Sequence, residues 1–230
     1  MLQASMQDTR TQGLQAGHPA LAANGAAALE AIGTAISMHK GGEICAQGEA
    51  ADYAYRIVGG VARVVKLMAD GRRQITEFLM PGDWFGMELA SELDVTVEAV
   101  TAVQLRRYKR HAVEQIAASD LQLSKWRLYL LSEKLYRVQE RLLTLGRRTA
   151  AERLAGFLLE MDERMPHDRA GVVPLPMNRG DIGDHLGLTV ETVSRNFTAL
   201  EQSGAITRVD TGFRIRDREA LDDSVNAMLN

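Results

Sequence analysis

Leu175-Pro176-Met177-Asn178-Arg179-Gly180-Asp181-Ile182-Gly183-Asp184-His185-Leu186-Gly187-Leu188-Thr189-Val190-Glu191-Thr192-Val193-Ser194-Arg195 is the most informative stretch of the chain. Asn178 is placed to cap a short helix running to about His185. Gly187 supplies a residue free to take positive φ in a tight turn, and Thr189 caps a second helix. Two short helices joined by a glycine-containing turn make a helix-turn-helix. In the second helix Val190, Val193, Phe197 and Leu200 recur at steps of three and four, which predicts one buried face. The opposite face carries Glu191, Ser194, Arg195 and Thr198. A major-groove reader requires such groups: Arg donates bidentately to guanine, Glu accepts from the cytosine amino group, and Ser or Thr reaches a base or a phosphate. Glu191, Ser194 and Arg195 are therefore the candidate base readers, with Arg179, Thr189, Thr192 and Thr198 as candidate contacts to the DNA backbone. A solvated polar stripe with an incidental Glu191 to Arg195 ion pair is the plainer alternative. The capped first helix, the turn, the second helix and a hairpin signal after it, all in register, favour DNA reading.

Downstream, Gly204 closes the helix, and Ala205 to Val209 and Phe213 to Ile215, joined through Asp210-Thr211-Gly212, read as a hairpin wing. Upstream, Gly146-Arg147-Arg148-Thr149 breaks a long helical pattern, and Thr149 with Glu152 has capping-box spacing. The broken pattern runs from after Tyr108 to about Leu145. Leu121, Leu128, Leu131, Leu135, Val138, Leu142 and Leu145 form a heptad seam in it, interrupted only by Ser124. A narrow seam fits the same helix of a second copy. A helix lying on its own domain needs a broader face, and Tyr129, Leu130 and Leu143 provide some of that width, so one flank is expected on the neighbouring domain. From Gly41 to about Arg107 short β-branched runs alternate with turns such as Asp70-Gly71 and Pro81-Gly82-Asp83, the texture of a compact sandwich or roll. The predicted class is α+β: an arm and short helix over residues 1–33, a β-roll over 34–110, a dimerisation helix region over 111–146 and a winged helix-turn-helix over 147–230.

At 230 residues the chain has room for two domains, and 46% hydrophobic with 25% charged residues is ordinary globular composition. No apolar run approaches the roughly 20 residues of a membrane span, and Met1 to His18 is polar, so a cytoplasmic protein without membrane contact is expected. The net charge of −3 means that any nucleic-acid surface must be local. A cupin-like metal enzyme would need clustered histidines in the roll, and none lies between Gly41 and Arg110. No nucleophile elbow, phosphate loop or zinc motif is present, which argues against an enzyme and against a metal site.

The quoted stretch closely resembles the helix-turn-helix of the FNR and FixK branch of the CRP/FNR superfamily, with Glu191, Ser194 and Arg195 matching that branch's Glu-x-x-Ser-Arg motif. The resemblance extends through Asp70-Gly71-Arg72-Arg73-Gln74-Ile75, Pro81-Gly82-Asp83-Trp84-Phe85-Gly86 and Gly146-Arg147-Arg148-Thr149-Ala150. It implies a homodimer on an inverted repeat of the TTGA…TCAA type in double-stranded DNA, activating transcription through RNA polymerase. Phe85-Gly86-Met87-Glu88 resembles the turn that opens the family's cyclic-nucleotide cassette, but Gln74 to Leu105 contains no Arg or Lys. Glu77, Asp83, Glu88, Glu92, Asp94 and Glu98 are expected to repel a phosphate. A single cysteine, Cys45, cannot hold the family's iron–sulfur cluster and reads as a silent thiol. No cofactor is expected. The competing reading is an effector-gated regulator binding haem or another small ligand, with His18, His39 and His111 available but without a motif around them.

Overall fold

A computed structural model describes residue 25 and residues 27–226 of the chain. Eight strands come first: β1 (Thr34–Met38), β2 (Glu43–Cys45), β3 (Tyr53–Gly59), β4 (Ala62–Leu67), β5 (Arg73–Leu79), β6 (Trp84–Phe85), β7 (Thr96–Ala99) and β8 (Val103–Lys109). They form two antiparallel four-stranded sheets, ordered β1-β8-β3-β6 and β2-β7-β4-β5. Ile57, Ala62, Val64, Leu79, Val97, Ala99, Val103 and Leu105 fill the space between the sheets, where Tyr55 stacks on Phe85 at 4.7 Å. The Asp70-Gly71 and Pro81-Gly82-Asp83 turns fall between strands, as the β-branched runs predict. The part of the expected N-terminal arm at residues 1–24, His18 included, lies outside the described residues.

The single long helix expected after Tyr108 is two helices, α1 (Arg110–Ser119) and α2 (Leu121–Arg147). Asp120 adopts extended backbone, and its carboxylate accepts from the backbone N–H groups of Gln122 and Leu123 at 2.8 and 3.0 Å, which caps α2. Ser124, the interruption in the leucine seam, donates its hydroxyl to the Ala117 carbonyl at 2.6 Å and ties the two helices together.

α2 has two working stripes. The inward one contains Leu123, Trp126 and Leu130, packed with Leu29, Ala54, Met87, Tyr108, Val113 and Ala117. Trp126 meets Trp84 edge-on at 4.8 Å. At the same steps of three and four it continues as Lys134, Arg137 and Arg141. Lys134 pairs with Glu88 and Arg137 with Glu77 at 2.9 Å, while Arg164 pairs with Asp83 at 2.6 Å. These pairs correct the expectation of a repulsive acidic roll at Glu77, Asp83 and Glu88, because helices outside the roll supply the cations that the stretch from Gln74 to Leu105 lacks. The second stripe, Leu121, Leu128, Leu131, Leu135, Val138 and Leu142, is 37–68% exposed. Leu145 is half-buried and faces Gly187. Tyr129 and Leu130 pack against the roll side as expected, but Leu143 remains 58% exposed and does not widen that contact.

The remaining elements are α3 (Ala150–Arg164), β9 (Val173–Pro174), α4 (Arg179–Leu186), α5 (Val190–Gln202), β10 (Ile206–Val209), β11 (Gly212–Ile215) and α6 (Arg218–Asn226). The Thr149 and Glu152 capping box opens α3. The predicted hairpin is β10 and β11, and β9 adds a third strand through the Phe213 to Val173 register. Leu154, Phe157, Leu158, Met161, Ile182, Leu186, Val193, Phe197 and Phe213 form one apolar cluster that continues into Val61, Val65, Ile75, Phe78 and Met80 of the roll. Among the described residues no helix is long and apolar enough to cross a membrane.

Trp126 is the largest fully buried side chain of α2 and holds it on the roll. Replacing it by alanine is expected to lower unfolding stability by about 3–5 kcal/mol, because the surrounding rings collapse only partly into the space. Chemical denaturation of the Trp126→Ala protein, read by far-ultraviolet circular dichroism, measures the loss.

Candidate nucleic-acid interface

Local chemistry alone builds the helix-turn-helix. Asn178 Oδ1 accepts from the Asp181 backbone N–H at 2.8 Å and caps α4. Gly187 ends it in the left-handed region at φ 66°. Chain crossing at the turn also depends on Gly183, where a Cβ would stand 2.6 Å from the Leu188 carbonyl oxygen. Thr189 Oγ1 accepts from the Thr192 N–H at 3.2 Å and starts α5.

Val193, Phe197 and Leu200 of α5 are buried. Val190, expected on the same face, is 46% exposed: as the first residue of the helix it stands at the rim of the packed face. Glu191, Arg195 and Thr198 are exposed, with Ser194 and Thr192 half-buried. Arg195 Nη2 donates to Thr192 Oγ1 at 3.2 Å, and among the described residues no ion pair joins it to Glu191. The incidental i,i+4 ion pair of the plainer alternative is thus not formed, while the face itself is solvated. The Glu191 carboxyl is held below its usual range by its own backbone N–H and the Thr189 hydroxyl, so it is an ionised acceptor near neutral pH. Thr198 Oγ1 donates to the Ser194 carbonyl at 3.2 Å, and Thr189 and Thr192 share a hydroxyl contact at 3.1 Å.

Arg179 does not extend freely from α4. Its guanidinium lies 3.5 Å from the Phe197 ring centroid, and burial together with Arg208 lowers its pKa. The wing adds three cations that the sequence reading does not single out: Arg208, paired with Glu201 at 2.5 Å, Arg214, and Arg216, whose Nε donates to Thr207 Oγ1 at 3.0 Å. Their clustering on one hairpin is the signal that could have found them.

The roll grips α4 through charges that sequence reasoning also misses. Arg63 Nη1 reaches Asp181 Oδ1 at 2.6 Å, and Arg73 reaches Asp181 at 3.1 Å and Asp184 at 2.6 Å. Gln74 Nε2 donates to the Asp184 carbonyl and, at 3.3 Å, to that of His185. His185 is buried beside the rings of Phe78 and Phe157. Its Nδ1 lies 3.2 Å from the Ile75 carbonyl, and its Nε2 lies 2.8 Å from Arg141 Nη1. A carbonyl only accepts and a guanidinium only donates, so the proton sits on Nδ1 and Nε2 is the acceptor. Burial, then the Arg141 charge, push the His185 pKa down to about 3. At the hinge, Arg153 donates to the carbonyls of Arg148 (2.9 Å), Leu145 (2.8 Å) and Leu186 (3.0 Å), joining the ends of α2 and α4.

Between the roll and α2 lies a cleft of about 80 Å³ lined by Glu77, Asp83, Trp84, Glu88, Lys134 and Arg137. That is well below the roughly 300–1,000 Å³ of usual small-molecule sites, whereas an open depression of about 530 Å³ beside Asp52, Tyr53, Lys109, Arg110 and His111 lies within that range. Cys45 is buried, which raises its pKa to about 11 and keeps the thiol protonated. Among the described residues no group of three or more His, Cys, Asp or Glu is arranged to hold a metal ion.

Residues 35–120 match the family model of the cyclic nucleotide-binding domain, and residues 152–224 that of the Crp-like helix-turn-helix domain. The chain is 42% identical over 197 residues to the nitrogen fixation regulation protein FixK of Azorhizobium caulinodans, covering 84% of this chain and 79% of that protein. It is 36% identical over 191 residues to the protein of the same name from Bradyrhizobium diazoefficiens, covering 82% and 81%. The solved structure of FixK2 from Bradyrhizobium japonicum superposes with a TM-score of 0.80 at 40% identity, covering 84% of this chain and 96% of that one.

The neutral His185 has a pH signature. Its folded pKa lies below the unfolded value of about 6.5, so the unfolded chain binds the extra proton between those limits. Its contribution to stability is complete above about pH 6.5 and falls as pH drops toward 3. Protonation would also set an N–H of the ring against Arg141, with Arg164 adding repulsion. A His185→Gln protein, which retains a donor and an acceptor without titrating, is expected to lose less stability between pH 7 and 5 than the unmodified chain, by up to about 1.4 kcal/mol per pH unit. Paired denaturation curves at the two pH values provide the check.

Proposed function

The chain belongs to the CRP/FNR family of transcription regulators, and from that premise we propose that it works as a homodimer reading an inverted repeat of the TTGA…TCAA type without a bound cyclic nucleotide. It is a FixK/FNR-type regulator with a helix-turn-helix DNA-binding domain. The observation that carries the finer reading is the outer face of α5, where Glu191, Ser194 and Arg195 stand together without a closing ion pair. In this reading Arg195 donates to a guanine and Glu191 accepts from a cytosine in each half-site. Thr189, Thr192 and Thr198, with Arg179 braced on Phe197, contact the phosphate backbone and fix the register of the helix.

Dimerisation is supported by the second stripe of α2. Six apolar side chains, Leu121 to Leu142, are exposed in a heptad row beside the stripe that already serves the roll, and Leu145 extends the row toward the hinge. Pairing that stripe with its copy places two α5 helices on one face of the DNA, where half-sites recur about 34–36 Å apart. Activation through contact with RNA polymerase is the corresponding mode of action. The reading without a cyclic nucleotide rests on the cleft between the roll and α2, whose cations Lys134 and Arg137 are engaged by Glu88 and Glu77. Cyclic AMP is accordingly expected to leave DNA affinity unchanged in a shift assay.

Leu135→Glu buries an unpaired charge in the seam and is expected to shift the protein to monomers in sedimentation, with loss of affinity for the repeat because the half-sites are no longer engaged together. A protein that stays dimeric places the seam elsewhere.

Arg195→Ala is expected to cost about 1–3 kcal/mol per half-site and to flatten the preference at the contacted guanine. Arg179→Ala is expected to weaken all duplexes alike. Titrations of both variants on the consensus and on single-position changes, at one salt concentration, separate the two roles.

A further inference from the structure

We propose that Arg63 and Arg73 are positioning residues for DNA recognition, acting through Asp181 and Asp184 to set the angle of the recognition helix and so the spacing of half-sites that the dimer accepts. The proposal rests on the dimer and inverted-repeat reading above. Its grounds are geometric. Asp181 stands in the first turn of α4 and is 2% exposed, and both arginines converge on its Oδ1. Arg73 also holds Asp184 one turn later, and Gln74 beside it donates to the carbonyls of Asp184 and His185 near the far end of the helix. The β4–β5 hairpin thus grips α4 near both ends, and two fixed points on a rigid rod determine its direction as well as its place. α5 inherits that direction, because Ile182 and Leu186 of α4 share a core with Val193 and Phe197 of α5.

The apolar cluster that also joins roll and head cannot do this alone. Apolar contact is non-directional and tolerates sliding, whereas charge-assisted bonds from a planar guanidinium fix angles. Arg63 is itself anchored in its sheet by Glu98 of β7 at 2.7 Å, so the grip is referenced to the roll and not to a mobile side chain. The same pairs engage two carboxylates of the helix-turn-helix that would otherwise add uncompensated negative charge to a DNA-binding domain.

The test uses full-length protein and three duplexes: the inverted repeat, the repeat with one base pair inserted between half-sites, and a single half-site. The double variant Arg63→Gln, Arg73→Gln is compared with the unmodified protein at one salt concentration, with sedimentation confirming a dimer. Affinity for the repeat is expected to fall about tenfold or more while affinity for the lengthened repeat holds or rises, so that the spacing preference shrinks by a similar factor. Equal weakening on all three duplexes, with the spacing preference intact, would mean that the pairs only stabilise the fold and would overturn the proposal. Asp184→Asn removes one partner from a half-exposed position and is expected to shift the spacing preference in the same direction by less; it decides the matter if the double variant does not fold. If the unmodified protein binds the single half-site as well as the repeat, the inverted-repeat reading fails first, and the spacing role falls with it.

Discussion

The carboxylate of Asp181 is almost wholly withdrawn from water, and an ion in that position costs several kcal/mol unless charges and donors surround it. The head of the molecule cannot meet that demand by itself. Its two guanidinium partners lie 118 and 108 residues earlier in the chain, on β4 and β5 of the roll. Separating head from roll would break both ion pairs and expose the apolar surface of Phe78, Phe157 and their neighbours to water. The β-roll and the helix-turn-helix are therefore joined by charge pairs as well as by a shared apolar core.

α2 meets a related constraint from the other side. Within 27 residues it packs on the roll and bears an exposed leucine row, and it reaches His185 of the head through Arg141. One inward stripe serves two of these tasks because it changes character along its length. It is aromatic and aliphatic where it crosses the apolar end of the roll, and cationic where it passes Glu88 and Glu77. The two cations that α2 brings to the cleft are thus engaged by the protein's own acids. Arg141 then carries the stripe into the head, where the neutral imidazole that it faces forms a donor and acceptor chain ending on the Ile75 carbonyl.

Features written in short-range code are legible from the sequence. Asn178, Thr149, Thr189 and Gly187 each act on a backbone group within a few residues, so their spacing predicts their bonds. The leucine row follows from periodicity. Asp120 escapes notice because the apolar period runs on across it, although a cap needs only one residue to interrupt the backbone. Val190 fits the period yet stands at the rim, since periodicity gives direction and not depth. The pairs of Glu77, Asp83 and Glu88 with helix cations, and of Asp181 with Arg63, are illegible for a different reason. Charges far apart in sequence leave no periodic trace, and only the fold decides which of them meet.

Those long-range pairs also govern how an acidic chain approaches a polyanion. Salt-sensitive affinity for DNA depends on the phosphates actually neutralised at the interface and not on the net charge of the protein. Three acids of the helix-turn-helix are internally engaged: Asp181 and Asp184 by the roll, and Glu201 by Arg208 of the wing. Among the described residues Arg195 forms no ion pair, and Arg179 is braced against an aromatic ring. The chain's overall net charge of −3 disfavours indiscriminate contact with DNA. Among the very large number of competing sites in a genome the ratio of specific to non-specific binding matters more than affinity alone. Acids engaged within the protein leave its exposed cations, Arg195 among them, as the charges offered to a phosphate backbone.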